Sequence, residues 1–412
     1  MRVIHTADWH LGQRFSGQSR EAEHDHFLDW LYEAICTHEI ETLVVAGDIF
    51  DSAQPPVFAQ QQYYRFLARL TGSPCRHIII TGGNHDNPHF LQAADPVLRA
   101  INVQVIGAAP EDAAAQIICL PNAEAPRLVV AAVPFLRDAD LRKSRLGQSS
   151  DDIETQLKNG IAAHYRTAAD HCAGYREKGI PVLATGHLYA NGCEPSDTER
   201  AIHVGNLGQV SAEAFGEVFD YVALGHLHRP QRVGGKDHIR YSGSPLPLSF
   251  TEREYPHQVL MLQFNGACCP EITELRIPVR RRLLHKADCF ESLLFFVENF
   301  RKTEDELVPW LSLVITNCEQ PLEARRKIQE AAHALRKELT IVELRANGKS
   351  APEDAQNEAA WGLSETLMRN PAEVFGKLLT SEGVTEGEAR ASLEETFGEL
   401  LDLYYQQPGR PS

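Results

Sequence analysis

A chain of 412 residues is too long for one typical domain, and its 43% hydrophobic content can bury more than one core. A formal charge of −16 excludes binding to nucleic acid by bulk attraction alone, and no apolar run approaches the roughly 20 residues of a membrane-spanning helix. Nine scattered cysteines, an odd number with no C-x-x-C pair, exclude a simple disulfide framework or a zinc knuckle and point to a reduced, cytoplasmic protein.

The N-terminal MRVIHTADWH lacks the long apolar core of a signal peptide and reads as a strand. After it come apolar runs at 3–8, 42–48, 77–84, 128–134, 181–187 and 221–226, rich in Val, Ile and Leu without polar alternation, as in strands buried on both faces. Stretches 21–40 and 58–70 have helical spacing, and 89–100 carries further helical residues. The expected fold class is therefore α/β, with layered sheets flanked by helices. RYSGSPLPLSF (240–250) reads as a strand and turn, and 257–264 as another strand. Near 270 the character changes. A helix around 289–302, a strand at 310–317, a helix at 321–339 and a strand at 340–346 suggest a small α/β domain over 271–347, separate from a first domain over 1–270. A polar linker (348–360) leads to two expected helices within 361–412. In the second, Leu393, Phe397, Leu400, Leu401 and Tyr404 form one apolar stripe. Residues 351–412 hold twelve acids and four bases, a net of −8, half the charge of the whole chain. Such a tail suits a protein-binding segment or a solvated helical face.

Five of the strands finish in a short Gly or Ala step followed by Asp, Asn or His. The residues are Asp8 and His10; Asp48 and Asp51; Asn84, His85 and Asp86; His187; and His226 and His228. Open α/β sheets bind ligands just outside the carboxyl ends of their strands, so five such tips converge on one crevice. Any one of these residues alone is an ordinary turn, cap or exposed histidine, and the chain has eighteen histidines. The repetition at five strand ends is what singles them out.

Carboxylates, an amide oxygen and imidazoles without a thiolate favour Mn²⁺, with Mg²⁺ or Fe²⁺ also fitting, and disfavour a structural zinc site. Seven candidate ligands exceed the needs of one ion and suit two ions sharing a carboxylate. Two ions about 3.5–4 Å apart can clamp the attacking and leaving oxygens of a phosphoryl displacement.

The ordered set DWH, GDIFD, GNHD, GH and GHLH resembles the calcineurin-like metallophosphoesterases. The forms HTADWHLGQ, VAGDIFD and YSGSPLPLSF, with the long C-terminal extension, are similar to the break-repair nuclease branch of that superfamily. The resemblance is strong to about residue 265 and looser beyond. It implies a layered β-sandwich, with Asp8, His10 and His228 at a first ion, Asn84, His187 and His226 at a second, and Asp48 between them. It implies that His85 is no ligand but faces the scissile phosphate. Asp86 would then orient that imidazole or cap the following helix, and Asp51 would act at the site or be a loop residue. The implied activity is ATP-dependent 3′→5′ exonuclease action on duplex DNA and endonuclease action on single strands and hairpins, in replication and recombination. ATP would be bound by a coiled-coil ATPase partner, because this chain has no G-x-x-x-x-G-K-[ST] loop.

The resemblance also gives the other segments a use. The 271–347 region would be a DNA-capping domain, with VRRR (279–282) touching phosphates or simply solvated. Tyr63, Phe66, Leu67, Leu91, Val97 and Leu98 would build a homodimer within a heterotetramer, or pack on their own sheet. The C-terminal stripe would bind the coiled coil of the ATPase, or pack within its own domain. Two rival functions stay open: a phosphatase or phosphodiesterase of the same superfamily, and a metal-free scaffold.

Overall fold

Each of the five strands with a chemically charged tip is present in the computed structural model. The structure describes residues 1–141, 150–199, 209–318 and 320–348, together with Phe375, Leu379, Arg390, Leu393, Thr396 and Phe397. The first sheet runs in the order β14 (Glu271–Arg276), β13 (Gln258–Gln263), β1 (Arg2–Thr6), β4 (Thr42–Ala46), β5 (His77–Thr81) and β6 (Val103–Ile106). Strands β1, β4, β5 and β6 are parallel, and β13 is antiparallel to both of its neighbours. The second sheet runs β11 (Gln231–Arg232), β12 (Ile239–Tyr241), β10 (Tyr221–Gly225), β9 (Val182–His187), β8 (Leu128–Ala131) and β7 (Ile117–Leu120). Its four central strands are parallel and its two edges antiparallel.

The apolar runs lack polar alternation because both faces of each sheet are covered, and successive side chains belong to different cores. Val3, Val44, Ile79, Leu260 and Leu262 of the first sheet meet Leu128, Val130, Leu183, Tyr221 and Ala223 of the second. The intervening residues Ile4, Leu43, Val45, Ile78 and Ile80 point outward, onto α1 (Glu21–Thr37) and α2 (Val57–Leu70). On the far side, Val129, Ala184, Val222 and Leu224 pack against α6 (Ser150–Arg176). The result is a four-layered sandwich: helices, sheet, sheet, helix. Shorter elements complete it: a hairpin of β2 (Arg14–Phe15) and β3 (Gln18–Ser19), and helices α3 (Pro88–Gln92), α4 (Asp95–Arg99) and α5 (Asp138–Leu141).

A third sheet has the order β15 (Leu283–Asp288), β16 (Trp310–Cys318) and β17 (Thr340–Gly348), with α7 (Phe290–Asn299) and α8 (Pro321–Ala334) beside these strands in the chain. Met1–Ile315 and Glu323–Arg345 form one compact unit, and a second comprises Thr316–Leu322 and the residues from Ala346 on. Within the first unit, Phe15 stands 5.4 Å from Trp310 and 5.1 Å from Phe250, ring to ring. Beneath these rings the buried Arg20 bonds Glu23, whose other oxygen lies 3.0 Å from Arg281, and the Arg281 guanidinium covers Trp310 at 4.1 Å.

That arrangement revises the basic cluster. Arg281 is turned inward, and Arg282 is engaged by Glu306 through two bonds of 2.7 Å, so only Arg280 of the three stands exposed. The helices expected at a dimer interface divide as well. Tyr63, Phe66, Leu67, Leu91 and Leu98 are buried in their own core, whereas Val97 is 70% and Val57 67% exposed. In the second unit Phe375 and Phe397 stack at 4.1 Å, and Leu393 is 44% exposed. Leu400, Leu401, Tyr404 and the linker beyond Gly348 lie outside the described residues.

Candidate metal centre

The two sheets bring their strand ends together along one seam. Past β1 and β4 the chains continue side by side: the Asp8 amide donates to the Gly47 carbonyl at 3.1 Å and the His10 amide to Asp48 at 3.1 Å. The seam is crossed twice. The His226 amide donates to Asp8 Oδ1 at 2.8 Å, and His187 Nδ1 donates to the Ala46 carbonyl at 3.0 Å. Four of the seven candidate ligands, Asp8, His10, Asp48 and His226, have φ between 46° and 101°. Backbone of this hand costs a residue with a side chain about 1–3 kcal/mol and persists where surroundings over-determine it. Here the cross-strand bonds do so.

The glycine steps supply closeness. A Cβ on Gly47, where φ is 88°, would lie 2.2 Å from His187 Nδ1, and one on Gly83 would lie 2.2 Å from Asp48 Oδ1. Only bare backbone lets these side chains approach.

Asp8, His10 and His228 offer ligand atoms within 4.8 Å of one another, and so do Asp8, Asp48 and His187. Asn84 Oδ1 is 2.8 Å from His187 Nε2, and Asp48 Oδ2 is 3.3 Å from the same nitrogen and 3.7 Å from His10 Nε2. Asp48 therefore stands between the two histidines, and Asp8 belongs to both groups rather than to one. The His226 ring lies 5.4 Å from that of His187. A third group joins His10 and His85 to Asp51, whose Oδ1 is 3.3 Å from His10 Nδ1.

The electrostatics are those of a cluster short of cations. Burial pushes the Asp8 carboxyl up to about 6, against His187 and His228. Burial also opposes the Asp48 anion, yet His187, by charge and hydrogen bond, with His10 and His85, holds it well below the usual range. Burial disfavours the His187 and His228 cations too. Asp48 and Asp8 nonetheless push His187 up to about 9, and Glu252, Glu199 and Asp8 do the same for His228. Burial and the neighbouring His187 charge keep His226 well below its ordinary value, as a neutral lone-pair donor. Asp8 Oδ2 and both ring nitrogens of His10 are buried and make no hydrogen bond, His10 Nδ1 having only the Asp51 carboxylate 3.3 Å away. Orphaned polar atoms of this kind, on a carboxylate and an imidazole that face each other, fit divalent metal ions.

His85 is placed differently from its neighbours. Its amide donates to Asp48 Oδ1 at 2.9 Å, and its Nδ1 donates to the Asp51 carbonyl at 2.8 Å. Asp86 does not cap the following helix, and what hold it has on His85 runs through backbone rather than through the ring. Its carboxylate accepts from the amides of Gly83 (2.9 Å), Ile49 (3.1 Å) and Phe50 (3.0 Å), and α3 is capped by Asn87 instead. It ties the GNHD turn to the GDIFD turn. Burial, with the Asp48 charge, pushes its carboxyl up to about 6 despite those amides.

Sequence reasoning missed the residues behind the ligands. His24 Nε2 donates to the Trp9 carbonyl at 3.1 Å between two ligands, and Glu252 and Thr198 flank His228. None sits at a strand tip, so no local signal marks them.

Residues 1–230 match the family model for calcineurin-like phosphoesterases. The chain is 35% identical over 391 residues to the D subunit of the SbcCD nuclease of Escherichia coli (strain K12), covering 94% of this chain and 95% of the relative. To the corresponding nuclease subunit of Rhodobacter capsulatus it is 39% identical over 289 residues, 68% of this chain and 70% of that one. To that of Bacillus subtilis it is 36% identical over 263 residues, 64% and 66% respectively.

Proposed function

The chain belongs to the calcineurin-like phosphoesterase family and, within it, to the SbcD nucleases, and from that premise we propose how its seam cuts DNA. Asp8, His10 and His228 hold one divalent ion, Asn84, His187 and His226 a second, and Asp48 lies between them, with Mn²⁺ the preferred metal. The orphaned buried atoms of Asp8 and His10, within reach of His228, are the observation that carries this reading. Bound there, two ions would polarise a phosphodiester and lower the pKa of the attacking water. His85, whose Nδ1–H is held by the Asp51 carbonyl, turns Nε2 to the phosphate; as the imidazolium, with a second proton on Nε2, it gives that proton to the departing oxygen and is left neutral. Asp86 keeps that histidine in place through the backbone it binds.

The substrate proposed is duplex DNA, trimmed 3′→5′ with ATP, and single strands or hairpins, cut internally, in replication and recombination in the cytoplasm. With a charge of −16 the chain cannot gather DNA by itself, which supports a partner that binds DNA and ATP. An SbcC-type coiled-coil ATPase has that chemistry, and the acidic C-terminal segment is proposed as its docking element. Exposed Val57 and Val97 support a homodimer within the heterotetramer.

The test uses Mn²⁺, hairpin and duplex DNA, with and without the coiled-coil ATPase. His85→Ala should keep Mn²⁺ binding while cleavage falls by about 10²–10⁴. Asn84→Ala should weaken Mn²⁺ binding first. Rapid turnover of small phosphoesters with no cleavage of DNA would overturn the reading.

A further inference from the structure

His228 is buttressed by a polar network that lies outside the ligand set. Its Nδ1 is 3.0 Å from Glu252 Oε1 and 2.9 Å from Thr198 Oγ1, and its amide donates to Glu199 Oε1 at 2.8 Å. Glu252 sits fully buried on the turn Thr251–Glu254. Its Oε1 also accepts from Ser196 Oγ at 2.6 Å and from Thr198 Oγ1, and its Oε2 accepts from the Leu248 amide at 2.8 Å. Among the described residues its one ion-pair partner is His228. A carboxylate opposite Nδ1 holds a proton on that nitrogen, so Nε2 is the atom that would bind an ion beside Asp8 and His10.

His187 gives the contrast. The same ring position is held there by a neutral carbonyl, that of Ala46. A buried carboxylate is expensive to desolvate, and a carbonyl would orient a ring as well. What a carboxylate adds is charge: it makes the imidazole a stronger donor and stabilises a cation beyond it.

We infer that Glu252 is a positioning residue for His228, and that its carboxylate makes the Asp8–His10–His228 position the tighter of the two ion sites. The inference rests on the two-ion reading above and assigns a rank order that the reading does not contain.

The experiment titrates the chelator-stripped full chain with Mn²⁺, following free manganese by electron paramagnetic resonance and heat by calorimetry. Wild type should bind two ions with distinct constants. In Glu252→Gln the tighter constant should weaken by about 10–100-fold and the weaker one stay within about twofold, and Glu252→Asp should recover part of the loss. Circular dichroism and metal-free melting should match wild type. Wild-type constants in Glu252→Gln, or a loss confined to the weaker site, would overturn the inference. If Glu252→Gln does not fold, Thr198→Val takes its place. It removes one bond to the carboxylate and one to the His228 ring and should weaken the same site by about two- to fivefold; unchanged constants there also overturn the inference. A wild-type chain that binds no manganese overturns the two-ion reading itself, and this inference with it.

Discussion

An imidazole outside the candidate ligand set gives the molecule a weakness to acid. His5 is buried between the two sheets, where its Nδ1 is 3.0 Å from the Tyr221 hydroxyl and its Nε2 donates to the Leu224 carbonyl at 3.2 Å. Burial lowers its pKa to about 3. The unfolded chain, near 6.5, therefore takes up the proton first: the stabilisation is complete above that value and is lost as pH falls toward 3. At pH 5 the loss is about 2 kcal/mol. His24, lowered to about 3 by burial and Arg20, adds to it with the same sign. In His5→Gln, which keeps a donor for Leu224, urea unfolding with chelator present should lose stability between pH 7 and 5 with a slope smaller by about one proton. An unchanged slope would reject that assignment. At this scale the candidate ligands were legible in the sequence because they cluster at strand ends, where Asp8, Asp48, Asn84, His187 and His226 each come directly after an alanine or glycine. Glu252 was not legible, because its partner lies 24 residues earlier and only the folded turn brings them together.

At the scale of elements, the strand-tip turns act as one part. Gly83 packs its Cα face on Asp48, so Gly83→Ala should displace that carboxylate. Mn²⁺ binding should fall by at least about tenfold while far-ultraviolet circular dichroism is kept; native affinity in that variant would show that the turn has slack. The parallel strands were readable from uninterrupted Val, Ile and Leu runs. The long helix α6 passed unread although Leu157, Ile161, Tyr165, Ala168 and Cys172 are all buried at helical spacing. Its stripe is built partly of alanine and cysteine, whose apolar signal is weak against the charged residues around them. Strand β14 passed unread too, because it lies on the edge of the first sheet and both its faces carry exposed polar residues, Glu271 and Thr273 on one and Glu274 and Arg276 on the other.

Across the whole molecule, Glu23 joins the sandwich to the third sheet. It is shared by Arg20 and Arg281, and removing its charge takes the ion-pair partner from a buried and a half-buried guanidinium at once. Glu23→Gln should cost about 3–5 kcal/mol and open the 278–283 segment to trypsin, read by melting and limited proteolysis. A variant that is stable and resists cleavage would show that the Trp310 packing suffices. The tertiary role of these arginines was invisible in the sequence, where VRRR reads as surface. The order of strands in the first sheet has one more consequence. Strand β1 lies between β4 and β13, a partner made more than 250 residues later, and the first ion group pairs Asp8 with His228. During synthesis the N-terminal strand waits with one edge open and half of its ligands unmatched. On the proposed assignment, no nascent or prematurely ended chain shorter than 228 residues can assemble the centre, so a destructive activity is withheld until nearly the whole sandwich exists.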